Sequence, residues 1–191
     1  MDPVCVATGN PNKFYEASQI CEQLGIPIEQ ADVHFDEIQH TDVAIITTAK
    51  AKSAYGAVGR PVVVNDSYWE IPALGGFPGA YMKDVAKWLS AEDFLNLMRN
   101  KDDKSIVLHE CVAFYDGHEV QLFSHKRLGH FVSRPRGSSL PDFTKVVEIE
   151  GDGMTISEVF DSGEWSVTSD RHKHWHDFGL WYVNEYVPNK K

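Results

Sequence analysis

The run Val4-Cys5-Val6-Ala7-Thr8-Gly9-Asn10-Pro11-Asn12-Lys13 decides the fold class. Its first four residues are an unbroken apolar stretch, the pattern of a strand buried on both faces. Thr8 to Asn12 is turn chemistry, rich in Gly, Pro and Asn. From Asn12 the period turns helical, with Phe14, Ala17, Ile20, Cys21 and Leu24 on one face and Gly25 and Pro27 as stops. Strand, tight loop and helix in this order predict an α/β unit. A second strand is expected over 28–34, and a helix capped by Thr41 runs to Val58. Val62-Val63-Val64 is the most β-like run in the chain and predicts another strand buried on both faces.

Beyond it the pattern changes. A Gly/Pro-rich loop, Leu74 to Gly79, leads into helical segments over 79–100. Residues 105–115, 119–124 and 126–133 read as a strand meander with Asp116-Gly117 as a hairpin turn. Residues 143–150 alternate weakly, as a strand can, and 151–167 read as irregular. Thr168-Ser169-Asp170 is expected to cap a last helix that buries Trp175, Phe178, Tyr182 and Tyr186. No repeat or long linker divides the chain, so residues 1–191 read as one domain with a mixed sheet, βαβαβ first and antiparallel additions later.

Composition narrows the function classes. The 191 residues carry 28 Asp+Glu against 18 Lys+Arg, a formal charge of -10, which argues against nucleic acid as a partner. A small phosphate ligand needs only a few cations and backbone amides, and excess carboxylates suit a divalent metal. No apolar run approaches the ~20 residues of a membrane helix. Met1-Asp2-Pro3 does not read as a signal peptide. Cys5, Cys21 and Cys111 are far apart with no Cys-x-x-Cys, which fits a reducing cytoplasm.

Five places can carry chemistry. Thr8, Gly9, Asn10 and Lys13 lie between a buried strand and a helix, where N–H groups, the helix dipole and a lysine favour an anion. The same loop also fits an ordinary turn. Asp66 follows the valine strand, where ligands of α/β sheets gather; it can bind metal, act as a base, or cap a turn, and Ser67 shares the ambiguity. The Gly75–Gly79 loop, with Gly76 at its centre, lets backbone approach a ligand, although a plain tight turn is commoner. Asp36-Glu37 and Asp42 read more readily as a solvated loop than as metal ligands. His172 and His176 have a metal-capable spacing but read as a surface face of the last helix. Ser169, Asp170 and Arg171 are better placed for a polar ligand.

Together these segments resemble a known family. Thr8-Gly9-Asn10-x-x-Lys13 with Glu16, Val64-Asn65-Asp66-Ser67, and Leu74-Gly75-Gly76-x-Pro78-Gly79-x-Tyr81 look like the inosine triphosphate pyrophosphatase family, in matching order over residues 4–85. Gly129, Pro135-Arg136-Gly137 and Ser169-x-Arg171 continue the match more thinly. The resemblance implies an elongated mixed sheet flanked by helices, two lobes with a nucleotide cleft between them, and a homodimer. It implies Mg²⁺-dependent hydrolysis of deaminated purine nucleoside triphosphates (ITP, XTP, dITP) to the monophosphate and pyrophosphate. It assigns Thr8, Asn10, Lys13 and Ser67 to phosphate, Gly9, Lys50, Gly76 and Ser169 to substrate binding more broadly, Glu37 and Asp66 to metal, Asp66 and Lys13 to catalysis, and Arg171 to the base.

Departures from the family pattern are specific. Its Glu-Asp is Asn65-Asp66, its aromatic base-framing segment keeps only Phe143, its Ser-His-Arg is Ser169-Asp170-Arg171, and its lysine four residues earlier is Trp165. Replacing His and Lys by Asp170 and Trp165 removes hydrogen-bond donors to a 6-keto purine and adds an acceptor. That change predicts an altered or relaxed base specificity. The lost carboxylate at Asn65 motivates a competing expectation, a weakly active or inactive nucleotide-binding protein.

Overall fold

The computed structural model describes residues 2–34, 38–149, 153–163 and 166–189. It divides the chain into two compact units, one made of residues 1–67, 110–125 and 167–191 and the other of 68–109 and 126–166. The strands, in chain order, are β1 Val4–Ala7, β2 Ile28–Ala31, β3 Val62–Glu70, β4 Pro78–Gly79, β5 Ser105–Tyr115, β6 Val120–Phe131 and β7 Val147–Ile149. They form a mixed sheet in the order β2-β1-β3-β5-β6-β7, with β4 paired to β3. β1 is parallel to β2 and β3, while β4 on β3 and β7 on β6 are antiparallel. The mixed α/β class expected from the opening run is what forms.

In the first unit the strands are sandwiched, because consecutive side chains point to opposite faces. Val4, Val6, Val63, Val112 and Phe114 face helices α1 (Pro11–Gln23) and α6 (Lys173–Trp181), whose Ala17, Ile20, Cys21, Trp175 and Phe178 complete that core. Cys5, Ala7, Val62, Val64 and Ala113 face the other way, onto Ala51 and Ala54 of α2 (Val43–Val58). That double burial is why the strand runs are apolar without alternation. The second unit has its own core, in which Ile71, Ile106, Phe131 and Val147 pack with Phe94 and Met98 of α4 (Ala91–Met98) and Val85 of α3 (Met82–Trp88).

Several boundaries differ from expectation, each for a local reason. The strand after the first helix ends at Ala31, where its pairing with Ala7 ends. Asp42, not Thr41, caps α2, its Oδ1 accepting the Ala44 N–H at 2.8 Å. The valine strand does not stop at Asn65 but runs to Glu70, because Trp69 and Glu70 gain β4 as a partner. Asp66 is therefore inside a strand. The two strands expected over 119–133 are one, β6, whose alternating exposure is unbroken through Ser124 and His125. Gly129 on it is needed: a Cβ there would stand 2.4 Å from the Glu148 carbonyl oxygen on β7. Residues 142–145 form a 3₁₀ turn before β7 rather than its start. The stretch expected to be irregular contains α5, Ile156–Ser162, opened by a capping box between Thr155 and Glu158.

The last helix starts later than expected. Thr168 caps the turn before it, its Oγ1 accepting the Arg171 N–H at 3.3 Å, and His172 stands at the helix cap with its Nδ1 3.3 Å from the Thr168 carbonyl oxygen. His172 and His174 lie three residues before Trp175 and four before Phe178, on the buried face; each is 1% exposed, so the expectation of a surface face holds only for partly exposed His176. Among the described residues no helix is long and apolar enough to cross a membrane.

Candidate active site

The first unit brings together three charged side chains that are far apart in sequence. Lys13 comes from the first turn of α1, Lys50 from the middle of α2, and Asp66 from β3. Lys50 Nζ lies 3.3 Å from Asp66 Oδ2, and Lys13 Nζ lies 3.7 Å from Asp66 Oδ1. Lys13 Nζ also donates to the Asn65 carbonyl oxygen at 3.5 Å, and the Ser67 N–H donates to Asp66 Oδ1 at 2.8 Å. All three side chains are mostly covered, with 23%, 11% and 18% of the Lys13, Lys50 and Asp66 side chains exposed. Two ammonium groups face the Asp66 carboxylate in a chain of formal charge -10.

Burial alone would raise the Asp66 carboxyl. The Lys13 and Lys50 charges, the Ser67 N–H and the Lys50 hydrogen bond outweigh it and hold it below the usual carboxylate value. A group depressed in the folded state contributes stability above its unfolded pKa, about 3.9 for Asp. That contribution is lost as pH falls through the folded value. The melting temperature of the wild-type chain should therefore exceed that of Asp66→Asn at pH 7, and the gap should close below about pH 4. Thermal melts at stepwise lower pH check this; a gap that stays constant contradicts it.

The loop that aims Lys13 is set by local bonds. Asn10 caps α1, its Oδ1 accepting the Asn12 and Lys13 N–H groups at 2.9 and 3.4 Å. The Thr8 Oγ1 accepts the Asn10 N–H at 3.1 Å, and the Gln30 amide holds the Thr8 carbonyl at 2.8 Å. Asn10 Oδ1 is thus committed to the helix. A Cβ at Gly9 would stand 2.7 Å from Asp32 Oδ1, so a larger residue there would displace that carboxylate. Asp32 is a carboxylate beside the loop that sequence reading passed over. The signal was its place just past a strand parallel to the first.

The turn carrying Ser169, Asp170 and Arg171 belongs to the same unit and precedes α6. The buried His172 Nε2 lies 3.9 Å from Glu16 Oε1, one turn beyond Lys13 on α1, which ties this turn to the loop's helix. Neither His172 nor its neighbour His174, whose Nδ1 lies 3.9 Å from Glu110 Oε2, was marked as buried by sequence pattern.

Other expected residues stand elsewhere. Gly76 is in the second unit at φ +93°, its N–H already donating to the Ile71 carbonyl at 3.1 Å. Phe143 presents no face for stacking. It is 3% exposed in the second unit's core, with Trp69 and Phe94 ring centroids 4.9 and 5.3 Å away, so its expected contact with a base is corrected to core packing. Glu37 and Trp165 lie outside the described residues.

Among the described residues no cluster of three or more His, Cys, Asp or Glu forms a metal cage. The Asp66 carboxylate, held ionised beside the lysines, is of the donor type used by an ion such as Mg²⁺ that keeps most of its waters and takes one or two carboxylates with substrate phosphates.

A profile of the Ham1 family matches residues 4–175. An inosine triphosphate pyrophosphatase of Aspergillus oryzae is 34% identical over 190 residues, covering 98% of this chain and 97% of that protein. A dITP/XTP pyrophosphatase of Methanopyrus kandleri is 30% identical, covering 95% and 96%. The Ham1 protein structure from Staphylococcus aureus superposes with a TM-score of 0.73 at 17% identity over the whole of both chains. The HAM1 protein from Coxiella burnetii gives 0.74 at 18% identity, covering 99% and 100%. With a profile spanning most of its length and relatives matched end to end, the chain belongs to the Ham1 family.

Proposed function

We propose that the chain is a hydrolase that cleaves nucleoside triphosphates to the monophosphate and pyrophosphate. Its relatives are named for ITP, dITP and XTP, and these are its proposed substrates. The observation that carries the reading is the convergence of Lys13 and Lys50 on Asp66 beside a helix N-terminal loop. Two ammonium groups and loop N–H groups bind phosphate oxygens and offset the charge that develops as pyrophosphate leaves. Asp66 orients a water toward the α-phosphorus and accepts its proton. When the substrate phosphates draw the lysines away, the carboxylate regains basicity for that task. Asp66 would also hold a Mg²⁺ brought by the phosphates, with Glu37 as a second ligand, and the ion when bound neutralises phosphate charge. The protein acts as a homodimer in this reading.

Base selection rests on Ser169, Asp170, Arg171 and Trp165. An acceptor at Asp170 favours a base that donates, so adenine nucleotides are expected to be cleaved beside deaminated ones. Asn65 favours a second reading, nucleotide binding with little turnover. It replaces a carboxylate, is 6% exposed, and its Oδ1 finds no hydrogen-bond partner among the described residues.

The test is pyrophosphate release from ITP, XTP, dITP and the four standard deoxynucleoside triphosphates, with and without Mg²⁺. Mg²⁺-dependent release from ITP, with dATP also cleaved, is expected. Exclusive cleavage of ITP, dITP and XTP would defeat the altered base preference, and no release from any of them would leave the binding protein.

A further inference from the structure

We propose that Asp66 is an internal stand-in for phosphate: it occupies Lys13 and Lys50 until a ligand with charge on two or more phosphoryl groups displaces it. This deepens the proposed function and rests on its phosphate site.

The geometry is divided. Asp66 Oδ2 faces Lys50 and Oδ1 faces Lys13, so one carboxylate engages each ammonium through a separate oxygen. A carboxylate built into the chain competes at a high effective concentration. The site is mostly covered, so these pairs are less screened by salt than surface pairs. A single phosphate group would have to replace Asp66 on both lysines at once. A pyrophosphate or triphosphate can give each lysine its own phosphoryl oxygens and more charge than the carboxylate it displaces. The stand-in therefore raises the charge needed for entry, and it favours loss of a monophosphate once the pyrophosphate is gone.

Both lysines stand on helices whose backbone is set without Asp66. Lys13 sits in a helix turn capped by Asn10 and also donates to the Asn65 carbonyl. Lys50 lies mid-helix on α2, beside the buried Ala51. Removing the carboxylate should leave a stronger anion site in place.

The experiment is calorimetric titration in metal-free buffer of the wild-type, Asp66→Asn and Asp66→Ser chains with orthophosphate, pyrophosphate and tripolyphosphate. The wild-type chain should bind tripolyphosphate over orthophosphate. Both variants should bind every anion tighter, on the order of tenfold, with the largest gain for orthophosphate. A variant with native circular dichroism that binds no tighter, or keeps the wild-type preference, overturns the proposal. A measurement on the wild-type chain guards against misfolded variants: the Asp66 carboxyl carbon resonance should shift with tripolyphosphate and not with orthophosphate. An unmoved resonance at saturation also overturns it. Pyrophosphate release from ITP by a wild-type chain whose variants gain no affinity would defeat the stand-in alone. Tighter anion binding by the variants without any wild-type hydrolysis would defeat the enzymatic reading alone.

Discussion

Replacing Asp66 with Asn should lower pyrophosphate release from ITP by at least about 10²–10³-fold, with the fold retained. Asn keeps the size of the side chain and one acceptor oxygen but cannot take a proton from water or oppose the lysines as a charge. The loss should fall on kcat, because the lysines and loop amides that bind phosphate remain. Asp84→Asn is the matched control. It removes an exposed carboxylate paired with Lys87 at 2.7 Å, and release should stay unchanged. Steady-state rates with circular dichroism of each variant check both. Equal losses in the two variants would place the effect outside the site.

Phe143→Ala should destabilise the chain by about 3–5 kcal/mol, the usual cost of emptying a buried aromatic position. For a chain of this size that corresponds to a fall in melting temperature of roughly 6–20 °C. Its ring contacts are Trp69 and Phe94, and the residues packed around it include Val146 and Val147 of the second unit's core. At a temperature where the variant is still folded, its KM for ITP should match wild type. A stable variant with a raised KM would instead return Phe143 to the base site.

These two residues show how differently position and environment are read from a sequence. Asp66 was legible because an apolar strand ending in Asp-Ser is a local signal, and Lys13 because it follows a Gly-Asn loop at a fixed spacing. Their meeting was not legible, since it depends on β1 and β3 pairing side by side across more than fifty residues. Lys50 carried no local signal at all and entered only through family resemblance. Phe143 was marked for stacking only through the family resemblance, as what remains of its aromatic base-framing segment. Only the packing of α4 and β3 around it shows that the ring is core.

The fold shows the same division. The opening strand, loop and helix and the aromatic face of α6 follow from periodicity, because each repeats over several residues. The capping box of α5 was present as Thr155-x-x-Glu158, inside a stretch read as irregular. The extension of β3 to Glu70 was not visible locally, since it depends on β4 arriving as a partner. The burial of His172 and His174 follows from that aromatic face itself, since they stand three residues before Trp175 and four before Phe178.

One measurement bears most directly on the hydrolase reading. The purified wild-type chain is incubated with ITP and Mg²⁺, and the products are followed by phosphorus NMR. Attack at the α-phosphorus predicts inosine monophosphate and pyrophosphate as the first products, in equal amounts and with no diphosphate intermediate. Inosine diphosphate and orthophosphate, or unchanged ITP in the presence of a folded chain, would contradict the account.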